Sequence, residues 1–279
     1  GLLGAELIKH SSGYFKVDKI LKGANWSNDL RSPLTEVGIN VNEGDFILAV
    51  NGNSVEELGD IYITLVGMAN TEVELTVNSK PEMEGARKVI VKTIAAESNL
   101  YYFNWVQKNI EYVNEKTNGQ VGYLHIPDMG PGGLSEFAKY FYPQLNKKGL
   151  ISDDCGNGGG NVSPMIIERL RRKVTRSTMR RNFPEGTPVP NRMMLGPKVL
   201  LIDRYSASDG DLFPYSFKKH ELGTVIGTRS WGGVVGITGP LPFLDGQDLR
   251  KPEFASYSAE KSEWIIEGYG VDPDIFIDN

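Results

Sequence analysis

The stretch Arg204 to Phe213, RYSASDGDLF, sets two serines and two aspartates between apolar runs. Upstream, Val199 to Ile202 is short, apolar and partly β-branched, the pattern of a buried strand. Downstream, Leu212, Phe213, Phe217 and Lys218 to His220 fit a helix beginning near Asp209. The polar segment is therefore a tight strand-to-helix turn, and two chemistries suit it. Ser208 followed three residues later by Asp211 is a capping box with a shortened acid, which satisfies orphan amides at a helix start. The same turn is a candidate nucleophile elbow, with a serine raised at the end of a strand and helix-start amides free to stabilise an oxyanion. The match to G-x-S-x-G is partial, because Ser206 stands at the first glycine. On this stretch alone both readings stay open.

Three other constellations bear on the choice. DDCGNGGGNVSP places Gly156, Gly158, Gly159 and Gly160 between a strand and a helix. Asn161 stands where a dinucleotide fingerprint needs its last glycine, no acid ends the next strand, and no Lys-Ser or Lys-Thr follows to make a phosphate loop. What is left is a structural turn or a set of exposed amides of the kind an oxyanion hole requires. EGYGVDPDI, from Glu267 to Ile275, fixes a loop with two glycines and a proline. Alone, Glu267 is an ordinary loop acid; beside a serine and an imidazole it would orient the base. The imidazole is the difficulty. His220 lies about three helical turns from Ser208, roughly 18 Å at 1.5 Å per residue, and cannot reach it. His10 falls beside a Ser-Ser-Gly turn near the start of the chain, and His125 lies inside GYLHI, where a buried structural histidine is expected. HELG at His220 lacks the second histidine of a zinc-protease helix.

The elements that must carry these residues fall into two groups. Residues 1–95 read as short strands, GLLGAELI, GYFKVDKIL, GDFILAVNG, EVELTVNS and RKVIVKTI. Among them VEELGDIYITLVGMA predicts an amphipathic helix with Leu58, Ile61, Leu65 and Met68 on one face. Residues 96–119 predict a linker helix that braces the two parts, with Tyr102, Trp105, Val106, Ile110 and Val113 along one stripe. Over 120–279, strand and helix alternate through VGYLHI, LSEFAKYFYPQL, GLIS, SPMIIERLRRKV, KVLLID, the helix after Asp209, and GTVIG. Such alternation predicts an α/β layer with a mainly parallel sheet.

A chain of 279 residues, 40% hydrophobic and 23% charged, suits one large or two ordinary domains. A net charge of -5 leaves no nucleic-acid footprint, and the basic run Arg169 to Arg181 is expected to be a solvated helix face. No apolar run reaches the roughly 18 residues of a bilayer span, and no signal peptide opens the chain. The single Cys155 excludes internal disulfides and cysteine-rich zinc sites.

GLLGAEL has the form of a carboxylate-binding loop with the strand after it. VNEGDFILAVNGNSV carries Gly44, Asp45, Ile47, Val50, Asn51 and Gly52 in a G-D-x-I-x-x-V-N-G pattern. Together they resemble a PDZ domain. Such a domain would add an extended peptide to Ala5–Ile8, in a groove formed by Leu2, Leu3, Gly4, Ala5 and Leu7. The Leu2 to Gly4 amides would then hold a terminal carboxylate, the alternative being that another part of the same protein fills the groove. Taken in order with VGYLHIPDM, CGNGGG, ASDGD, RSWGGVVG and EGYGVDPDI, this segment resembles the tail-specific serine peptidases, above all their tricorn-type core members.

The resemblance implies an α/β protein with a small β-rich domain: a PDZ-like domain followed by a spiral ββα catalytic domain of the ClpP/crotonase-like kind. It implies peptide hydrolysis through an acyl-enzyme on Ser208, with the Asp209 amide as one oxyanion donor. Gly159 is the second donor, with Gly158 or Gly160 as alternatives, and Glu267 is the acid of the charge relay. No metal or organic cofactor is implied. The family's base is a histidine preceded by a serine, ahead of the PDZ domain. No such pair occurs here, so the expectation is the C-terminal part of a longer enzyme, nearly inactive until an upstream segment supplies the histidine. The implied partners are oligopeptides or unfolded chains and peptide C-termini, with no nucleic acid and no membrane span; homo-oligomerisation is left open. The expected compartment is the cytoplasm, the cell envelope being the alternative. Asp154 and Cys155 depart from the aliphatic and basic or polar pair such peptidases carry, and the family's acidic pocket for basic side chains cannot be located. Two rivals are a pseudo-peptidase that only binds peptide tails and a crotonase-like acyl-CoA enzyme, which shares the sheet and oxyanion hole without a serine nucleophile.

Overall fold

Alternating apolar residues build the first sheet of the computed structural model, which describes residues 1–258 and 260–278, the side chains of Thr238, Pro240 and Leu241 aside. Ala5–Lys9 (β1), Phe15–Ile20 (β2), Phe46–Val50 (β3), Glu72–Asn78 (β4) and Arg87–Lys92 (β5) lie side by side in chain order. Each neighbouring pair is antiparallel. Val17, Ile47, Leu75, Val77 and Val91 pack into one core with Leu3 and Leu65, while β1 forms an edge of the sheet.

The helix expected over VEELGDIYITLVGMA is a single 3-10 turn, Ile61–Leu65. Gly59 and Gly67 bracket it, and Ile61, Ile63 and Thr64 are β-branched, which disfavours a longer helix. Asp60 caps the turn by accepting from the Tyr62 N–H at 2.9 Å. Ile61 and Leu65 are buried and Leu58 and Met68 pack on the same core, so the apolar face survives without the helix.

Contacts divide the chain into two units, residues 1–108 and residue 109 onward. Helix α1, Ser98–Lys116, runs across that division. Its buried residues are Leu100 and Val106, whereas Trp105 is 42% exposed, so the expected stripe is narrower than its sequence suggests.

The second unit is a parallel sheet flanked by helices. Its strands are Val121–His125 (β6), Gly149–Asp153 (β7), Lys198–Ile202 (β8), Gly223–Gly227 (β9) and Ile275–Phe276 (β10), in the order β10-β9-β8-β7-β6. All four pairings are parallel. Helices Pro131–Phe141 (α2), Ser163–Leu170 (α3) and Asp209–Lys219 (α4) cover it. Phe137, Phe141, Phe213 and Phe217 close over Leu124, Leu150, Leu200 and Val225. Register sets Asp153 opposite both His125 and Leu201, so β6, β7 and β8 end level and the loops after them leave from one edge. That edge is where ligands bind in open parallel sheets.

The basic run departs from its expected helix. α3 ends at Leu170, and Arg176–Thr178 pairs with Thr187–Val189 as an exposed hairpin. Val174, Thr175 and Thr178 favour extended backbone there. No helix among the described residues is long and apolar enough to cross a membrane.

Candidate functional site

Ser208 ends the turn after β8 with φ 58° and ψ -118°, a backbone conformation that non-glycine residues rarely adopt. The Asp211 carboxylate accepts the Ser208 N–H at 2.8 Å and also the Gly232 N–H at 2.7 Å. One acid therefore serves the capping geometry and ties the elbow to the RSWGG loop, which reconciles the two readings of the turn. The Asp209 side chain turns the other way, accepting from Ser163 N–H at 2.9 Å and Ser163 Oγ at 2.5 Å, which anchors α4 to the start of α3. Its backbone nitrogen sits at the first position of α4, where an α-helix has no partner for the amide.

The glycine loop packs directly on this elbow. A Cβ on Gly159, whose φ is 94°, would fall 2.6 Å from Ser208 Cβ and 3.0 Å from the Asp209 nitrogen, so only glycine permits the approach. Asn157, fully buried, holds loop and elbow together. Its Nδ2 donates to Ile126 O at 3.0 Å and Asp154 Oδ1 at 2.9 Å, and its carbonyl accepts the Ala207 N–H at 2.8 Å. Its Oδ1 accepts the Gly159 N–H at 2.9 Å. The amide expected to be an oxyanion donor is thus engaged by a neighbour, while Gly158 and Gly160 line the cavity that contains Ser208 and Asp209.

That cavity, about 620 Å³, also brings in Glu267. Its Oε2 accepts the Val234 and Val235 N–H groups at 2.7 and 2.9 Å, so the RSWGGVVG segment fixes the acid through main-chain donors. Gly232 and Gly270 make this possible: a Cβ on Gly232 would stand 2.4 Å from the Gly270 nitrogen. Trp231, Val234, Ile237 and Phe254 give apolar walls and Arg250 a single cation.

None of the three histidines lines this cavity. His125, at the end of β6, is buried with Nε2 2.9 Å from Cys155 O. His220 is the C-cap of α4, and His10 belongs to the first unit. The two departures noted in the sequence have distinct characters. Asp154 is wholly buried, and burial, with Asp153 beside it, raises its carboxyl well above the usual carboxylate range. Its Oδ2 has no hydrogen-bond partner among the described residues. Burial and Asp153 likewise push the Cys155 thiol up, so it is held as an unreactive thiol. Among the described residues no group of three His, Cys, Asp or Glu is placed to hold a metal ion.

In the first unit the expected groove residues are present, but the Leu2 and Gly4 amides are not free as expected. Leu2 exchanges two backbone hydrogen bonds with Ile94, at 2.8 and 3.0 Å. The Gly4 N–H donates to Glu97 Oε1 at 2.7 Å. Leu3 is buried, Leu7 half-buried, and the Ala5 carbonyl accepts from the Tyr62 hydroxyl at 3.3 Å. An internal carboxylate therefore occupies the loop, the alternative the sequence had left open.

Sequence reasoning missed Asn157, Glu97 and the Val234 and Val235 amides. Asn157 could have been found inside the quoted CGNGGG motif; backbone donors have no residue-type signal at all.

The family description of the tricorn protease PDZ domain matches residues 1–96, and that of peptidase family S41 matches residues 120–277. The chain is 38% identical over 271 residues to the tricorn protease of Thermoplasma volcanium, covering 97% of this chain and 26% of that protein. It is 38% identical over 282 residues to a tricorn protease homolog of Saccharolobus solfataricus, covering 100% of this chain and 25% of that one. The crystal structure of the tricorn protease superposes with a TM-score of 0.89 at 35% identity, over 100% of this chain and 27% of its own. The chain thus spans about a quarter of the length of these curated relatives. With a match across the whole parallel-sheet unit and its candidate site, the chain belongs to peptidase family S41.

Proposed function

We propose that this chain carries the nucleophile, oxyanion donors and orienting acid of a serine peptidase that acts on oligopeptides or unfolded polypeptides. The observation that carries the reading is the strained Ser208 elbow sharing one cavity with the glycine loop and the amide-held Glu267. Ser208 Oγ attacks the scissile carbonyl carbon and passes its proton to a base. The oxyanion is met by the Asp209 N–H and a glycine-loop N–H; the C–N bond then breaks as the amine takes the proton, and water hydrolyses the ester by the same route in reverse. For Gly159 to serve as the second donor, its N–H must leave Asn157 Oδ1; Gly158 and Gly160 already face the cavity.

The proposed base is an imidazole that the cavity lining does not supply, since His10, His125 and His220 are absent from it. Free imidazole should therefore rescue acyl transfer. With a p-nitrophenyl ester, mass spectrometry should find an acyl group on Ser208 whose rate of formation rises with imidazole, and Ser208→Ala should abolish the adduct. A second reading, a pseudo-peptidase, draws on the engaged Gly159 N–H. No imidazole-dependent adduct on Ser208 would select it.

A further inference from the structure

The loop that should receive a ligand's carboxylate already holds one from its own unit. Gly4 adopts φ 72°, and its N–H donates to Glu97 Oε1 at 2.7 Å across 93 residues of sequence. The flanking Ala5 and Leu3 amides also favour the charged form of that carboxylate. Glu97 immediately precedes α1, yet its side chain reaches back to this loop. The occupied loop opens onto β1, an edge strand whose first carbonyl, that of Ala5, is covered by the Tyr62 hydroxyl at 3.3 Å. A Cβ on Gly4 would stand 2.9 Å from Pro33 Cδ and 3.1 Å from Ser32 Oγ, so the loop is held in place rather than shaped by its occupant.

We propose that the Leu3–Ala5 amides form a seat for the C-terminal carboxylate of an extended peptide, and that Glu97 fills this seat in cis and must be displaced for the peptide to bind along β1. The seat is made of backbone donors only, so it recognises a carboxylate wherever that comes from, and Glu97 is a tethered copy of the ligand's end group. The tether makes it a strong competitor, since intramolecular groups act at effective concentrations of roughly millimolar. Its hold is incomplete: burial raises the Glu97 carboxyl despite the amide bonds that lower it, with Glu6 adding to the rise. A peptide α-carboxylate is the more acidic group, about 3.3–3.7 in its unperturbed pKa, and its strand adds main-chain hydrogen bonds to β1 that Glu97 cannot make.

The test is independent of catalysis. In the 279-residue chain carrying Ser208→Ala, fluorescence anisotropy would follow a fluorescein-labelled hexapeptide ending in leucine with a free carboxylate, beside the same peptide C-terminally amidated. Apparent affinity scales with the fraction of open seat, so Glu97→Ala should bind the free-acid peptide about tenfold more tightly or better than the Glu97 form, and leave the amidated peptide unchanged. Glu97→Gln keeps the volume and one acceptor for Gly4, and should give a smaller gain; it decides alone where Glu97→Ala does not fold. Amide shifts at Leu3, Gly4 and Ala5 on titration locate the binding. Equal affinity of the free-acid peptide for the Glu97 form and for both folded variants would overturn the proposal. So would a gain that the amidated peptide shares.

Discussion

Glu97 in the first unit and Glu267 in the second are both held by backbone amides, and the two glutamates differ in what surrounds them. Glu97 meets the Gly4 N–H in a half-buried loop, where desolvation raises its carboxyl. Glu267 meets the Val234 and Val235 amides on the exposed rim of a cavity that also contains Ser208. The same pairing, a carboxylate on main-chain donors, thus closes one site and leaves the other open. A carboxylate whose partners are the site's own recognition amides competes with a ligand. One held by amides beside the site leaves the cavity accessible, and in the proposed reading it orients the base. The difference lies in which amides are taken, and residue type does not reveal it.

The strongest way to break the open site is steric. Gly159→Ala would put a methyl carbon 2.6 Å from Ser208 Cβ at a backbone φ of 94°. Left-handed strain of about 1–2 kcal/mol and overpacking of about 1–3 kcal/mol add to an expected loss of about 2–5 kcal/mol in the second unit. Imidazole-rescued acylation of Ser208 should fall about 100-fold, since a shift on the order of 1 Å in the elbow is enough for that. Peptide binding in the first unit should not change. Acylation at the Gly159 rate would mean that the glycine loop does not shape the elbow.

How much of this was legible follows the same division. The elbow, the glycine loop and the order of strands around them could be read because each is a local pattern: an apolar run, then small or polar residues, then a helical period. KVLLID and the helix after Asp209 form as read. IYITL misled, because its apolar spacing is helical while its β-branched residues and flanking glycines permit only one turn. The contact of Glu97 with Gly4 could not be read, since nothing in either neighbourhood refers to a partner 93 residues away. Nor could Asn157 be assigned, as its hydrogen bonds span Ile126, Asp154, Gly159 and Ala207 and depend on how three strands end level.

A smaller effect is expected beneath the open site. Asp154 is buried among Asp153, Asp203, Asp209 and Asn157, and its carboxyl is raised well above the usual range. A raised acid binds more protons folded than unfolded, so its stabilising contribution is complete below the unfolded pKa of about 3.9 and is lost as pH rises through the folded value. Asp154→Asn mimics the neutral form permanently. The variant should match the parent near pH 4 and exceed it at pH 8, by about 1.4 kcal/mol for each unit that separates the folded from the unfolded pKa. Hydrogen exchange through Lys198–Ile202, the strand beside it, reports this without interference from the first unit. A parent whose exchange does not change between these pH values would show that Asp154 gains compensation elsewhere.

The finest distinction between the two glutamates concerns Glu267 itself. Glu267→Gln can keep its amide oxygen on both the Val234 and Val235 N–H groups, which one carboxylate oxygen serves, but puts an NH2 in place of the other oxygen and removes the charge. Because the side chain lies on the exposed rim, the fold should be unaffected. If Glu267 orients the base, its loss weakens the positioning of imidazole more than the chemistry at Ser208. Half-saturating imidazole in the rescue reaction should rise about 1.4- to fivefold, the range set by roughly 0.2–1 kcal/mol for an exposed charge pair. The plateau rate should change less. A fall in the plateau with half-saturation unmoved would instead put Glu267 in the support of the elbow. Both glutamates would then be structural carboxylates, and the contrast between a closed and an open site would rest on Ser208 alone.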